Sequence, residues 1–188
     1  MNEELDEVEQ PEESPERRSF ASIALEFIII FVIAYIIAYV LQNFIFGNFQ
    51  IQQHSMEPTL YENERVLINR AVYYFEDPNR GDIVILLDPI GRQSDFVKRV
   101  VAVPGDRIEI RGGRAYVNDK PLSESYLARD GSQDNIGPIK IPQDQYFVMG
   151  DNRARSSDSR RFGPIPRKNI LGKVFIIWWP LDRIHAPK

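Results

Sequence analysis

The residues able to do chemistry in this chain are few, and the shortage is informative. There is no Cys, so thiolate nucleophiles, disulfides and Cys-ligated metal or iron–sulfur sites are excluded. Only His54 and His185 are present, which excludes a multi-histidine metal site. A hydrolase built from what remains needs an activated Ser or Thr, or a pair of carboxylates. His54 adjoins Ser55, and neighbours in extended chain point to opposite sides. His185 lies three residues from the C-terminus, a poor place for a rigid base. The base left to a serine nucleophile is a lysine.

Such a lysine must be neutral at working pH, although its ordinary pKa is about 10.4. Burial among apolar groups disfavours the ammonium and lowers that value. Lys120 follows the turn pair Asn118-Asp119, and Lys140 lies between Pro138 and Pro142. Lys168 and Lys188 have polar or terminal surroundings, and Lys173 starts an apolar strand. Lys98 lies inside Phe96-Val97-Lys98-Arg99-Val100-Val101-Ala102-Val103. Strand alternation predicts Phe96, Lys98, Val100 and Ala102 on one face. Lys98 is then either a desolvated base or an edge lysine with its head in water. A second unusual stretch, Gly150 to Gly163, packs two Asp, four Arg and three Ser behind an apolar run. Paired charges and hydroxyls suit a hydrogen-bonded wall that fixes another side chain; a solvated loop is the alternative.

Three segments with different physics must position these groups. Residues 1–19 form an acidic tail with eight carboxylates before Arg17 and two interrupting prolines, too polar to fold. Residues 20–46 read as a transmembrane helix, because Phe27 to Leu41 holds no charge or amide and about 20 apolar residues span a bilayer. Arg17 and Arg18 precede it, and no charge follows until Glu57. That bias predicts a cytoplasmic N-terminus and an extracytoplasmic body, and such a single-pass anchor suits a plasma membrane. Residues 47–188 are that body. Beyond the tail's eight acids and two arginines the whole chain keeps 19 acids, Glu26 of the helix among them, and 21 bases. The near-neutral balance gives no nucleic-acid footprint.

The body's texture is short apolar runs split by Gly, Pro, Asn and Asp. Strands are expected at Phe49–Gln52, Arg65–Asn69, Ile83–Leu87, Phe96–Val103, Arg107–Ile110, Ala115–Val117, Gln145–Met149 and Gly172–Trp178. Gly112-Gly113 signals a two-residue hairpin. Ser123–Pro138 reads as a polar surface excursion. The fold class is therefore mainly β: one N-terminal membrane helix, then an all-β domain of many short, mostly antiparallel strands.

Three boxes carry a family resemblance. His54-Ser55-Met56-Glu57-Pro58-Thr59-Leu60 resembles the Ser-Met-x-Pro-Thr box of bacterial type I signal peptidases. Lys98 through Asp106 is similar to their lysine box, and Gly150-Asp151-Asn152-Arg153 through Arg160 to their Gly-Asp-Asn-Arg box. All three occur in the family's order behind a membrane helix. The resemblance implies a membrane-bound serine endopeptidase that removes signal peptides from secretory preproteins, without a cofactor or metal. It makes Ser55 the nucleophile and Lys98 the general base, with Ser156 orienting the lysine. Arg99, Asp151, Asp158 and Arg160 fall where the family keeps structural charge pairs. Phe49, Ile51, Met56, Leu60, Val66, Phe96 and Val97 would wall two small pockets for an Ala-x-Ala motif, with the peptide lying beside Asp95–Lys98.

One position departs. Two residues before the nucleophile the family often has Ser or Thr, whose hydroxyl completes the oxyanion hole; here it is Gln53. Its side-chain amide can donate, and positions i and i−2 share a face of extended chain. The partners implied are preproteins, membrane lipid and the neighbourhood of the export machinery, with Trp178 and Trp179 able to rest on lipid. The rival reading is a membrane-anchored β-domain that binds proteins without catalysis.

Overall fold

The structure is a computed structural model, and it describes residues 19–88, 91, 95–127 and 132–187. The acidic run and the arginine pair Arg17-Arg18 lie outside the described residues. The chain divides into two units, the first ending at Tyr39 and the second starting at Val40.

The first unit is an apolar helix. Helix α1 runs Phe20–Val40 and buries none of its residues against protein. It contains no Gly or Pro, and a bilayer forces the backbone to satisfy its own hydrogen bonds. Its 21 residues rise about 31 Å, enough to cross a membrane. A π-helical turn, Leu41–Ile45, follows, and Phe46 already belongs to a strand.

The second unit is built on two antiparallel sheets. In chain order the elements are β1 Phe46–Gln50, β2 Arg65–Asn69, α2 Val72–Phe75, β3 Ile83–Leu86 and β4 Phe96–Ala102. Then come β5 Arg107–Arg111, β6 Arg114–Val117, β7 Lys120–Pro121, β8 Ile136–Lys140 and β9 Gln145–Met149. The chain closes with α3 Ser159–Phe162, β10 Ile165–Pro166 and β11 Ile170–Trp179. The larger sheet has the order β1-β2-β11-β3-β4-β9-β10, and the smaller β7-β6-β5-β8.

Alternation explains where the side chains go. In β3, Ile83 and Ile85 enter one apolar cluster with Met56, Leu60, Val66, Ile68 and Val174. Val84 and Leu86 enter a second cluster on the other face, with Phe96, Val100, Tyr146 and Val148. Burial on both faces is why that strand reads as an unbroken apolar run. The smaller sheet covers a third cluster through Ile108 and Ile110, while Arg107 and Arg111 face water. Gly112 and Gly113 both take positive φ, the geometry of a two-residue hairpin, and Arg111 pairs with Arg114 across it. Strand β11 carries two register shifts against β2, between Val174 and Ile176 and between Ile177 and Trp179. Such bulges bend a strand and increase its twist.

Several expectations need correction. The first strand starts at Phe46 and ends at Gln50, so Ile51 and Gln52 lie beyond it. Ala102 does not share the face of Phe96 and Val100, because the pairing with β9 shifts register between Val100 and Ala102. It joins Val101 in the third cluster. The segment 123–138 is not wholly a polar excursion. It ends in β8, an edge strand whose Gly137 and Pro138 disguise it.

Candidate active site

Ser55 stands on a loop tied at its base. Ile51 N–H donates to the Glu64 carbonyl at 2.8 Å, and Asn63 N–H to the Ile51 carbonyl at 2.8 Å. Met56 and Leu60 plug the loop into the first apolar cluster. Burying two such side chains contributes about 1.5–3 kcal/mol each, which fixes the serine's place. From the opposite side the Asn152 N–H donates to the Ser55 carbonyl at 3.0 Å. The Thr59 hydroxyl donates to Asp151 Oδ2 at 2.6 Å.

Lys98 comes from the middle of β4 and has no exposed surface. Its Nζ lies 2.7 Å from Ser55 Oγ and 2.8 Å from the Val97 carbonyl. The Phe96 ring centroid lies 5.1 Å from Nζ, on the same side of the strand. Burial lowers the Lys98 pKa to about 8, against the pull of the Asp158 and Asp151 carboxylates, which raise it. Arg160 adds a smaller lowering effect. The amine is thus poised near neutrality. The other strand lysine considered, Lys173, is partly exposed and pairs with Asp82 at 2.6 Å.

The Gly-Asp-Asn-Arg segment surrounds this pair with charge. Arg99 binds Asp151 through two bonds, Nε to Oδ1 at 2.9 Å and Nη2 to Oδ2 at 2.7 Å. Arg160 holds Asp158 the same way, at 2.8 and 2.9 Å. Asp158 also accepts from Gly150 N–H at 3.0 Å. Burial alone would raise the Asp158 carboxyl, but Arg160, Ser156 and that N–H hold it below its ordinary value.

Ser156 is buried beside Gly150, yet among the described residues its hydroxyl makes no hydrogen bond of normal geometry. It lies near enough to Asp158 to help hold that carboxyl down. No bond joins it to Lys98, whose partners are Ser55 Oγ and the Val97 carbonyl.

A cleft of about 380 Å³ opens onto Ser55. Of the expected pocket residues, Phe49, Ile51, Met56, Asp95 and Val97 line it, together with Gln53. Leu60, Val66 and Phe96 do not. The first two are fully buried in the first apolar cluster, and Phe96 is buried in the second. Asn48, Gln50, Gln52 and Ile85 complete the lining and were not anticipated. β1 and β4 stand four places apart in the sheet, so the cleft lies in the hollow of its curl.

The neighbouring histidine pairs with carboxylates. His54 is exposed, with Nδ1 2.8 Å from Glu57 and Nε2 3.7 Å from Glu62.

Residues 24–179 match the family described as signal peptidase, peptidase S26. The chain belongs to this family. A signal peptidase I from Bacillus amyloliquefaciens is 39% identical over 158 residues, covering 79% of this chain and 84% of that one. Signal peptidase I S of Bacillus subtilis is 39% identical over 156 residues, 77% of this chain and 83% of its own. A solved signal peptidase I from Enterococcus faecalis is 31% identical, with a TM-score of 0.47, over 52% of this chain and 97% of the other. As a member of the signal peptidase family the protein is an enzyme, so the reading as a non-catalytic binding domain falls away. With its apolar helix it is a membrane-anchored peptidase.

The boxes are tied to one another by contacts that no single box displays. Thr59 and Asn152 lock the serine loop to the Gly150 segment, and Thr59 stood in plain view inside the serine box. Arg153, Glu124 and Tyr126 were assigned no role. Arg153 was one of four arginines in its stretch, with no sequence signal marking it as buried.

Proposed function

We propose that the protein cleaves signal peptides from exported preproteins after small residues, with Ser55 as nucleophile and neutral Lys98 as general base. The observation that carries this reading is the 2.7 Å contact between Ser55 Oγ and a fully buried Lys98 Nζ. Lys98 takes the Oγ proton as the oxygen attacks the scissile carbonyl carbon. The ammonium so formed donates to the Val97 carbonyl and lies in the field of Asp158 and Asp151. It then gives its proton to the leaving amine, and the C–N bond breaks to leave an acyl ester on Ser55. Water deprotonated by Lys98 hydrolyses the ester. The charge pairs Arg99–Asp151 and Arg160–Asp158 keep lysine and serine in register.

The apolar walls Phe49, Ile51, Met56 and Val97 leave room for small side chains and select Ala-x-Ala by exclusion. The peptide lies beside Asp95 and Val97. The N-terminal tail is cytoplasmic, α1 spans the membrane once, and residues 47–188 are the extracytoplasmic catalytic domain. Exposed Trp179, Tyr74 and Phe75 suit contact with lipid headgroups near the export machinery.

The test is cleavage of a preprotein by the full chain in detergent between pH 5 and 10, with the new N-termini sequenced. A base that must be deprotonated makes kcat/KM fall tenfold per pH unit below about 8 and level off above it. A profile flat down to pH 5, or cuts after bulky residues, would defeat the reading.

The oxyanion faces the Ser55 N–H and, in our reading, the Gln53 amide, which lines the cleft beside Ser55. Gln53→Ala is expected to lower kcat by on the order of 100-fold with KM little changed. An unaltered kcat would remove Gln53 from the machinery.

A further inference from the structure

Residues 124–126 lie in the polar stretch between β7 and β8, far in sequence from all three boxes. Their side chains nevertheless reach the wall of the site. Glu124 is 6% exposed and forms an ion pair with Arg153, itself 1% exposed. The other Glu124 oxygen accepts from the Ala115 N–H of β6 at 3.1 Å. Arg153 in turn donates from Nε to the Gly150 carbonyl at 3.2 Å and from Nη1 to the Gly113 carbonyl at 3.0 Å. Two residues beyond Glu124, the Tyr126 ring packs against Arg99, with the guanidinium carbon 3.9 Å from its centroid. Arg99 is the residue that grips Asp151.

One short segment therefore seats both arginines that steady the Gly150-Asp151 corner. That corner has little tolerance. A Cβ on Gly150 would meet the Ser55 carbonyl oxygen and the Ser156 side chain closer than 3.0 Å, so nucleophile and corner are packed backbone to backbone.

We infer that Glu124 and Tyr126 are positioning residues for catalysis: a clamp that bolts the smaller sheet to the Gly150 corner and thereby holds Ser55 against Lys98. This rests on the Ser55–Lys98 reading given above. Neither residue lines the substrate cleft, so the clamp acts on turnover and not on substrate binding. A buried guanidinium left without its carboxylate strains the contacts it keeps, here the Gly150 and Gly113 carbonyls.

The test uses the full chain in detergent, assayed at a temperature where every variant is folded. Glu124→Gln is expected to lower kcat more than tenfold with KM within twofold, and to lower Tm. Glu124→Gln/Arg153→Met removes the orphaned charge. Tm should then recover while kcat stays low, because Gly150 still lacks its arginine. A purely structural role predicts that turnover returns with stability. Tyr126→Leu should lower kcat about tenfold, whereas Tyr126→Phe keeps the ring on Arg99 and stays within twofold of the parent. This second pair decides the matter where the Glu124 variants fail to fold. The clamp is overturned by parental kcat in Glu124→Gln, by kcat recovering with Tm in the double variant, or by equal rates in the two Tyr126 variants. Lys98→Met separates the two ideas. Activity lost there but kept in Glu124→Gln sinks only the clamp, and activity kept in Lys98→Met sinks the dyad.

Discussion

Lys98→Met is expected to lose turnover by on the order of 10⁴-fold or more, and to gain stability while doing so. On the proposed reading the loss follows from removing the base that lies 2.7 Å from Ser55 Oγ. The gain follows from burial. Lys98 has no exposed surface, and its pKa falls from 10.5 to about 8 on folding. Between those values the unfolded chain binds the extra proton, so stability rises with pH across that window. Below about pH 8 the group is buried as the ammonium and the full cost is present. The shift corresponds to about 3 kcal/mol as an upper figure. Methionine fills nearly the same volume with no charge to desolvate. Thermal melts at pH 7 should place the variant above the parent by up to several degrees, with the difference shrinking toward pH 10. A variant less stable than the parent at pH 7 would show that Lys98 is not strained by its surroundings.

Gly150→Ala comes second in size and differs in kind. The added methyl would strike the Ser55 carbonyl oxygen and the Ser156 side chain at less than 3.0 Å. The Ser156 side chain can turn, but the Ser55 carbonyl is backbone, already bonded to Asn152 N–H. The corner or the serine loop must therefore shift by several tenths of an ångström. A displacement near 1 Å at a reacting group can cost about 100-fold in rate. Overpacking of this sort also costs about 1–3 kcal/mol of stability. Kinetics and a melt on the same preparation check both, and parental kcat would show that the two backbones are less tightly seated than the contact implies.

The two variants separate what could be read from sequence from what could not. Lys98 was visible because burial left a local trace, a cation within an apolar strand. Ser55 and the Gly150 segment were visible because their chemistry is contiguous. Glu124 and Tyr126 were not, because nothing in Ser-Glu-Ser-Tyr tells a buried carboxylate from a wet one. Their burial exists only once β6 and the Gly150 corner meet. Phe96, expected in the pocket, is buried in the second apolar cluster instead. β8 hid because Gly137 and Pro138 are poor strand residues, tolerated only at an edge.

The bulges of β11 reach further than their own strand. β1 and β4, which form the two banks of the cleft, never touch through hydrogen bonds; β2, β11 and β3 stand between them. The gap between the banks is thus a curvature, set by how sharply the intervening strands turn. Changes around Val174 to Trp179 would narrow or widen the opening without contacting any peptide. Descendants of this protein can therefore drift in what they accept while every residue of the serine, lysine and Gly-Asp-Asn-Arg boxes stays the same.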